Sequence, residues 1–195
     1  MFHSDTRQQL IEATGRLILR LGYSKTSVGD IAHEAGLSRA TAYLYFPNKD
    51  AMLSAWLAQR SQSLREELKT LSRGWYDPWQ ALEETLKARI RLRLERAGRL
   101  GPAALNDILS AREALLAARP EQQAAEAALF ADLIHQAQPQ HPKAAETALL
   151  LVLATDSLSP SHLSAEQLQD RATLDKIADQ LCGFLVQAVR SGASP

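Results

Sequence analysis

The chain has 195 residues, 46% hydrophobic and 23% charged, a balance that excludes intrinsic disorder and allows one large domain or a small one joined to a larger one. Lysines and arginines number 22 and so do aspartates and glutamates, so net charge favours no partner, and any nucleic-acid face must come from a local arrangement of donors. The single cysteine, Cys182, excludes an internal disulfide, and the longest apolar run, "ALLLVLA" at 148–154, is too short to cross a bilayer; with no secretory leader pattern at the start, a cytoplasmic protein with no membrane partner is expected.

Apolar periodicity is helical nearly throughout. A first helix is predicted over 6–21, capped by Ser4 or Asp5, with Leu10, Ile11, Ala13, Leu17, Ile18 and Leu21 as its stripe and Gly22 at its end. Ser27 caps a second helix and Asp30, three residues on, completes an approximate capping box; Val28, Ile31, Ala32 and Ala35 form its inner face. Gly36 ends it, Leu37 turns inward, and Ser38 caps a third helix from Arg39 to Phe46 that Pro47 and Asn48 stop. Two short helices joined by Gly-Leu-Ser form a helix-turn-helix. Further helices are predicted over 48–72, 78–98, 102–118, 121–137, 142–157 and 166–191, with proline or glycine at most of the breaks. The fold expected is all-α, with about nine helices: a three-helix domain over 1–50, joined by the fourth helix to a larger helical bundle over 51–195.

The third helix explains its own composition if it meets DNA. Ala42 and Phe46 face the core with Leu37, which leaves Arg39, Ala40, Thr41, Tyr43 and Leu44 outward and Tyr45 at the rim. A helix fits the major groove, and its first residues reach base edges. Arg39 can donate to guanine, Ala40, Leu44 and the Thr41 methyl can touch thymine methyls, and Tyr43 and Tyr45 carry hydroxyls to phosphates on stiff stems. Thr26, Ser27 and Ser38 add hydroxyls at the two helix starts, and Lys49 adds a cation at the start of the fourth.

The stretch "TSVGDIAHEAGLSRATAYLYFPNKDAML" resembles the DNA-binding domain of the tetracycline-repressor (TetR) family of bacterial transcription regulators. The resemblance covers roughly residues 6–55 and rests on the combination of a Thr/Ser opening the second helix, Ile-Ala, Ala-Gly, Ser-x-x-Thr-x-Tyr, Phe46 and Lys49. It implies phosphate contacts from Ser27, Tyr43 and Lys49 and base reading by Arg39, Ala40, Thr41 and Leu44. Gly29 stands where the family often has a polar or basic residue, and Leu44 where it often has a polar or aromatic one.

Two helices near the C-terminus carry more apolar surface than one neighbour can cover. Leu149, Leu150, Val152 and Leu153, with Leu174, Ile177, Leu181, Phe184, Leu185 and Ala188, are expected to pair with their copies in a homodimer, which places two reading helices on a double-stranded operator. The resemblance implies the same pairing and a small-molecule effector enclosed by the second domain. Trp56, Trp79, Ile90, Leu94, Leu105, Leu109, Phe130 and Ile134 are candidates for its walls, though core needs the same residues and is the reading favoured for each. In "KARIRLRLERAGR", 87–99, the arginines form a solvated face, or Arg89 or Arg93 meets an anionic ligand or an acidic partner. No metal spacing, phosphate loop or nucleophile motif occurs, so no enzyme, metal or cofactor is expected. The function expected is a ligand-responsive DNA-binding repressor; the alternative is a helical small-molecule binder whose helix-turn-helix is only structural.

Overall fold

Capping side chains start several of the helices in the computed structural model, which describes residues 2–99, 107 and 112–192. Among these residues there are nine α-helices, two short 3-10 turns and no strand. The chain packs as two units, Met1–Ser61 with Leu100–Arg119, and Gln62–Arg99 with Pro120–Pro195.

In the first unit α1 spans Phe2–Leu21, α2 Val28–Glu34, α3 Arg39–Tyr45, and α4 (Lys49–Ser72) enters as far as Ser61. The helix α1 starts before the predicted residue 6, and Asp5 lies in its first turn instead of capping it. Leu10, Ile11, Ala13, Leu17 and Ile18 are buried as the periodicity predicts, whereas Leu21 stands exposed. Gly22 follows with φ +92°, a left-handed turn that glycine adopts without strain, and its N–H donates to Ile18 O at 3.0 Å. The unit extends past the expected boundary at residue 50 because Met52, Leu53 and Trp56 bury in its core with Ile31, Ala42 and Phe46. Gly15 faces Trp56 so closely that any Cβ there would collide with the indole.

The second unit holds α5 (Pro78–Gly98), α6 (Arg112–Ala137) from Pro120 onward, α7 (Ala144–Thr155), 3-10 turns at Asp156–Leu158 and Pro160–His162, α8 (Ala165–Gln169) and α9 (Arg171–Arg190). Leu82, Leu86, Ile90, Phe130, Ile134, Ala148, Val152, Ala178 and Cys182 form its centre. Burial pushes the Cys182 thiol up to about 12, which leaves it an inert hydrophobe.

Two further predicted boundaries move. Pro120 sits inside α6 and does not end it. Proline forfeits one helical hydrogen bond, but "REALLAAR" before it and "EQQAAEAALF" after it are rich in strong helix formers. Asp170 divides the predicted 166–191 helix into α8 and α9. Its backbone leaves the helical region (φ −84°, ψ 69°), and its carboxylate accepts the Thr173 N–H at 3.1 Å, a new N-cap. Most of the predicted 102–118 helix lies outside the described residues.

Candidate functional site

The turn between α2 and α3 is built by side chains whose partners are all local. Ser27 Oγ accepts the Asp30 N–H at 3.2 Å while Asp30 Oδ2 takes the Ser27 N–H at 2.9 Å, a reciprocal capping box. The Ser27 hydroxyl, and with it the Ser27 N–H, holds the Asp30 carboxyl below its usual range. Gly36 adopts φ +71°, which lets its N–H reach His33 O at 2.9 Å and the Leu37 N–H reach Ala32 O at 2.8 Å. Ser38 then caps α3 through the Thr41 N–H at 3.0 Å. Ala42 and Phe46 are buried, so the rest of α3 is forced outward.

Arg39, Ala40, Tyr43 and Leu44 therefore form one solvent-facing surface, on which Leu44 is 83% exposed. Arg39 is pre-set along it: its guanidinium lies 5.6 Å from the Tyr43 ring centre, and Nη2 donates to the Tyr43 hydroxyl at 3.3 Å. Ser27 and Ser38 are exposed at the two helix starts, and Thr41 is half-buried with its hydroxyl 2.8 Å from that of Ser38.

One candidate for phosphate contact is placed otherwise, and a second stands half-buried at the rim. Thr26 is buried and its hydroxyl donates to Gly22 O at 2.7 Å, so it ties the α1–α2 turn and cannot reach a ligand. Tyr45 is half-buried against the first core because position 45 follows Ala42 by only one turn of the wheel.

Lys49 is half-buried and held by a neighbour that the sequence did not single out. Its ammonium donates to Tyr23 O at 2.9 Å and lies 4.0 Å from the Tyr23 ring centre. Tyr23 in turn donates its hydroxyl to the Asp50 carboxylate, and burial together with that acceptor pushes its phenol well above the usual range. Asp107 accepts the Ser24 N–H at 2.7 Å on the same turn. The only sequence signal for this support is an aromatic placed directly after Gly22.

In the second unit, Ile90, Leu94, Phe130 and Ile134 are buried in continuous core, and Trp79 is half-buried beside a groove. Trp56 belongs to the core of the first unit, which α4 serves up to Ser61. Leu105 and Leu109 lie outside the described residues.

Arg89 is fully buried and forms neither a solvated face nor an anion site. Its Nε donates to Glu126 at 2.6 Å, Nη1 to the Thr155 hydroxyl at 2.8 Å and Nη2 to Asp156 at 2.6 Å. Arg93 donates to the same two carboxylates at 2.8 Å each, and Gln123 donates to Asp156 at 2.6 Å. Two acids thus neutralise two guanidiniums. Burial, the largest single influence, would raise the Asp156 carboxyl, but Arg89, Gln123 and Arg93 together outweigh it and the net shift is downward.

The expected pairing surface divides in two. Val152 and Leu174 are buried core and present nothing to a partner, because α7 and α9 each turn one side fully inward. Leu149, Leu150 and Leu153 on α7 and Ile177 and Phe184 on α9 are exposed, Phe184 by 71%. Leu181, Leu185 and Ala188 are half-buried. Among the described residues no helix is long and apolar enough to cross a membrane, and no group of His, Cys, Asp and Glu could hold a metal ion.

Comparison with known proteins places the helix-turn-helix. Residues 10–56 match the family model "Bacterial regulatory proteins, tetR family". The probable acrEF/envCD operon repressor of Escherichia coli K12 is 40% identical over 84 residues, 42% of this chain and 37% of that protein. The nicotine-responsive transcriptional repressor HdnoR of Paenarthrobacter nicotinovorans is 38% identical over 73 residues, 37% of this chain and 38% of that one. The chain therefore spans under two fifths of either relative's length in its match. A solved TetR-family regulator from Pectobacterium atrosepticum superposes with a TM-score of 0.62 at 25% identity, covering 96% of this chain and 91% of the other. The capped α2–turn–α3 thus lies in a segment, residues 10–56, that matches the tetR family of bacterial regulatory proteins, and the all-helical fold is similar to that of a solved TetR-family regulator.

Proposed function

We propose that the chain is a ligand-responsive transcriptional repressor that binds a two-fold-related double-stranded DNA operator as a homodimer in the cytoplasm. One observation carries the DNA-binding part: Arg39, Ala40, Tyr43 and Leu44 face solvent together while Ala42 and Phe46 anchor the helix behind them. A leucine left this bare on a seven-residue helix does nothing for the fold. Against a thymine methyl in the major groove it becomes a contact, with Arg39 beside it for a guanine edge. Tyr43, Ser27 and Lys49 serve as phosphate contacts; Lys49 has donors beyond the one it gives to Tyr23. The repressor sense follows the relatives, both of which are named as repressors.

One such helix makes few base contacts, and the exposed row of Leu149, Leu150, Leu153, Ile177 and Phe184 is suited to bring a second copy. Two copies present their reading helices to half-sites about 34 Å apart. A relative responsive to nicotine makes effector control the expected behaviour. By linkage, an effector that weakens DNA binding is itself weakened by DNA to the same factor.

A gel shift on the DNA upstream of the chain's own gene tests the proposal. Wild type shifts it as two protomers per duplex, Arg39→Ala loses about 1–3 kcal/mol and relaxes one base preference, and Tyr43→Phe and Lys49→Ala weaken all sequences alike. Undiminished binding by the Arg39→Ala/Leu44→Glu double variant removes α3 as the reading element.

A further inference from the structure

A groove of about 710 Å³ lies between the start of α5 and the end of α9, inside the second unit, and of the residues expected to enclose an effector it is lined by Trp79 alone. Its size is that of sites that hold drug-sized molecules. Trp79 forms one wall, Val186 part of the apolar floor, and Asp77, Glu83 and Glu84 bring three carboxylates to the α5 side. Against these stand Arg190 in the lining and Lys87, whose ammonium bridges Glu83 at 2.6 Å and Glu84 at 2.9 Å. Three anions against two cations leave one negative charge in excess beside an indole.

Gly183 adds a second, independent indication. It lies in the interior of the 20-residue α9, where glycine is the weakest helix former apart from proline. No backbone need accounts for it, since its φ is not positive and a Cβ would meet only Glu83 Oε1 at an ordinary 3.6 Å. What glycine supplies at this position is space in the groove.

We infer that this groove binds a small organic cation with an apolar or aromatic body, its charge set between the Glu83/Glu84 carboxylates and the face of Trp79 and its body over Gly183 and Val186. Tryptophan is the aromatic side chain that attracts a cation most strongly, and the spare carboxylate charge favours a monocation over a neutral or anionic molecule. The site supplies an effector class for the proposed repressor and rests on that proposal only for its regulatory consequence.

Binding is measured without DNA, on the full chain, by calorimetry and tryptophan fluorescence with phenyltrimethylammonium, its neutral isostere tert-butylbenzene, and benzoate. The cation binds about tenfold or more tightly than the isostere, benzoate does not bind, and Trp79→Phe removes the fluorescence change. Glu83→Gln/Glu84→Gln abolishes the preference for the cation, and Gly183→Leu abolishes binding. Gly183→Ala, which strengthens the helix, keeps wild-type circular dichroism and weakens binding by less, so the site stays testable if the leucine variant fails to fold. Equal affinity for cation and isostere, no binding at all, or cation binding unchanged in the Glu and Gly183 variants overturns the inference. A chain that binds the cation but shifts no DNA keeps this groove and loses the repressor; one that shifts DNA but ignores the cation does the reverse.

Discussion

The two units solve the problem of a helical core in opposite ways. The first keeps its ions outside: Arg16 and Arg20 pair with Glu34 on the surface, and among the described residues its interior is apolar apart from the hydroxyls of Thr14 and Thr26, both spent on backbone carbonyls. The second places Arg89 at its centre and neutralises it with Glu126 and Asp156 from two other parts of the chain. An apolar core loses stability by the methylene, whereas a buried ion cluster fails when any one partner leaves. The first unit should therefore degrade gradually under substitution and the second abruptly.

The contrast can be broken most sharply at Arg89. Arg89→Ala leaves Glu126 and Asp156 buried with only Arg93 between them and should cost the second unit about 3–5 kcal/mol in denaturant unfolding, followed by Trp79 fluorescence. The same cluster should respond to acid. Because the folded Asp156 carboxyl titrates below its unfolded value of about 3.9, its stabilisation is complete above that pH and is lost as pH falls toward and through the folded value. Unfolding curves at descending pH should show this loss, and Asp156→Asn should flatten it. In the first unit, Ile31→Ala should cost about 2–5 kcal/mol, reported by Trp56 and unaffected by acid through this mechanism. Ser38→Ala, which removes the α3 cap, should cost about 1 kcal/mol. The smallest effect belongs to Arg16→Ala, whose exposed pair with Glu34 should leave the denaturation midpoint unmoved.

The same contrast explains what could be read from the sequence. Everything that shapes the first unit is local: Ser27 and Asp30 are three apart, Gly36 and Ser38 punctuate, and Ala42 and Phe46 repeat at helical spacing. Periodicity and capping rules reach that far. Arg89 finds its partners 37 and 67 residues away, and no local pattern separates it from the half-buried Arg91, Arg93 and Arg96 that follow on the same helix. The stripe on α9 was legible as broad, but its inward edge (Leu174, Ala178, Cys182, Val186) and outward edge (Ile177, Phe184) differ only in what covers them, which a single sequence does not state. Thr26 was misplaced for a simpler reason: a hydroxyl next to a helix start serves a carbonyl four residues back as readily as a phosphate.

The bare row that ends at Phe184 carries a consequence for behaviour in the cell. Should it join two copies reversibly, the species that reads DNA scales with the square of the free chain at low abundance, so doubling the copy number raises operator occupancy by up to about fourfold. The same mass action makes the melting temperature rise with protein concentration, and Phe184→Glu should erase that dependence.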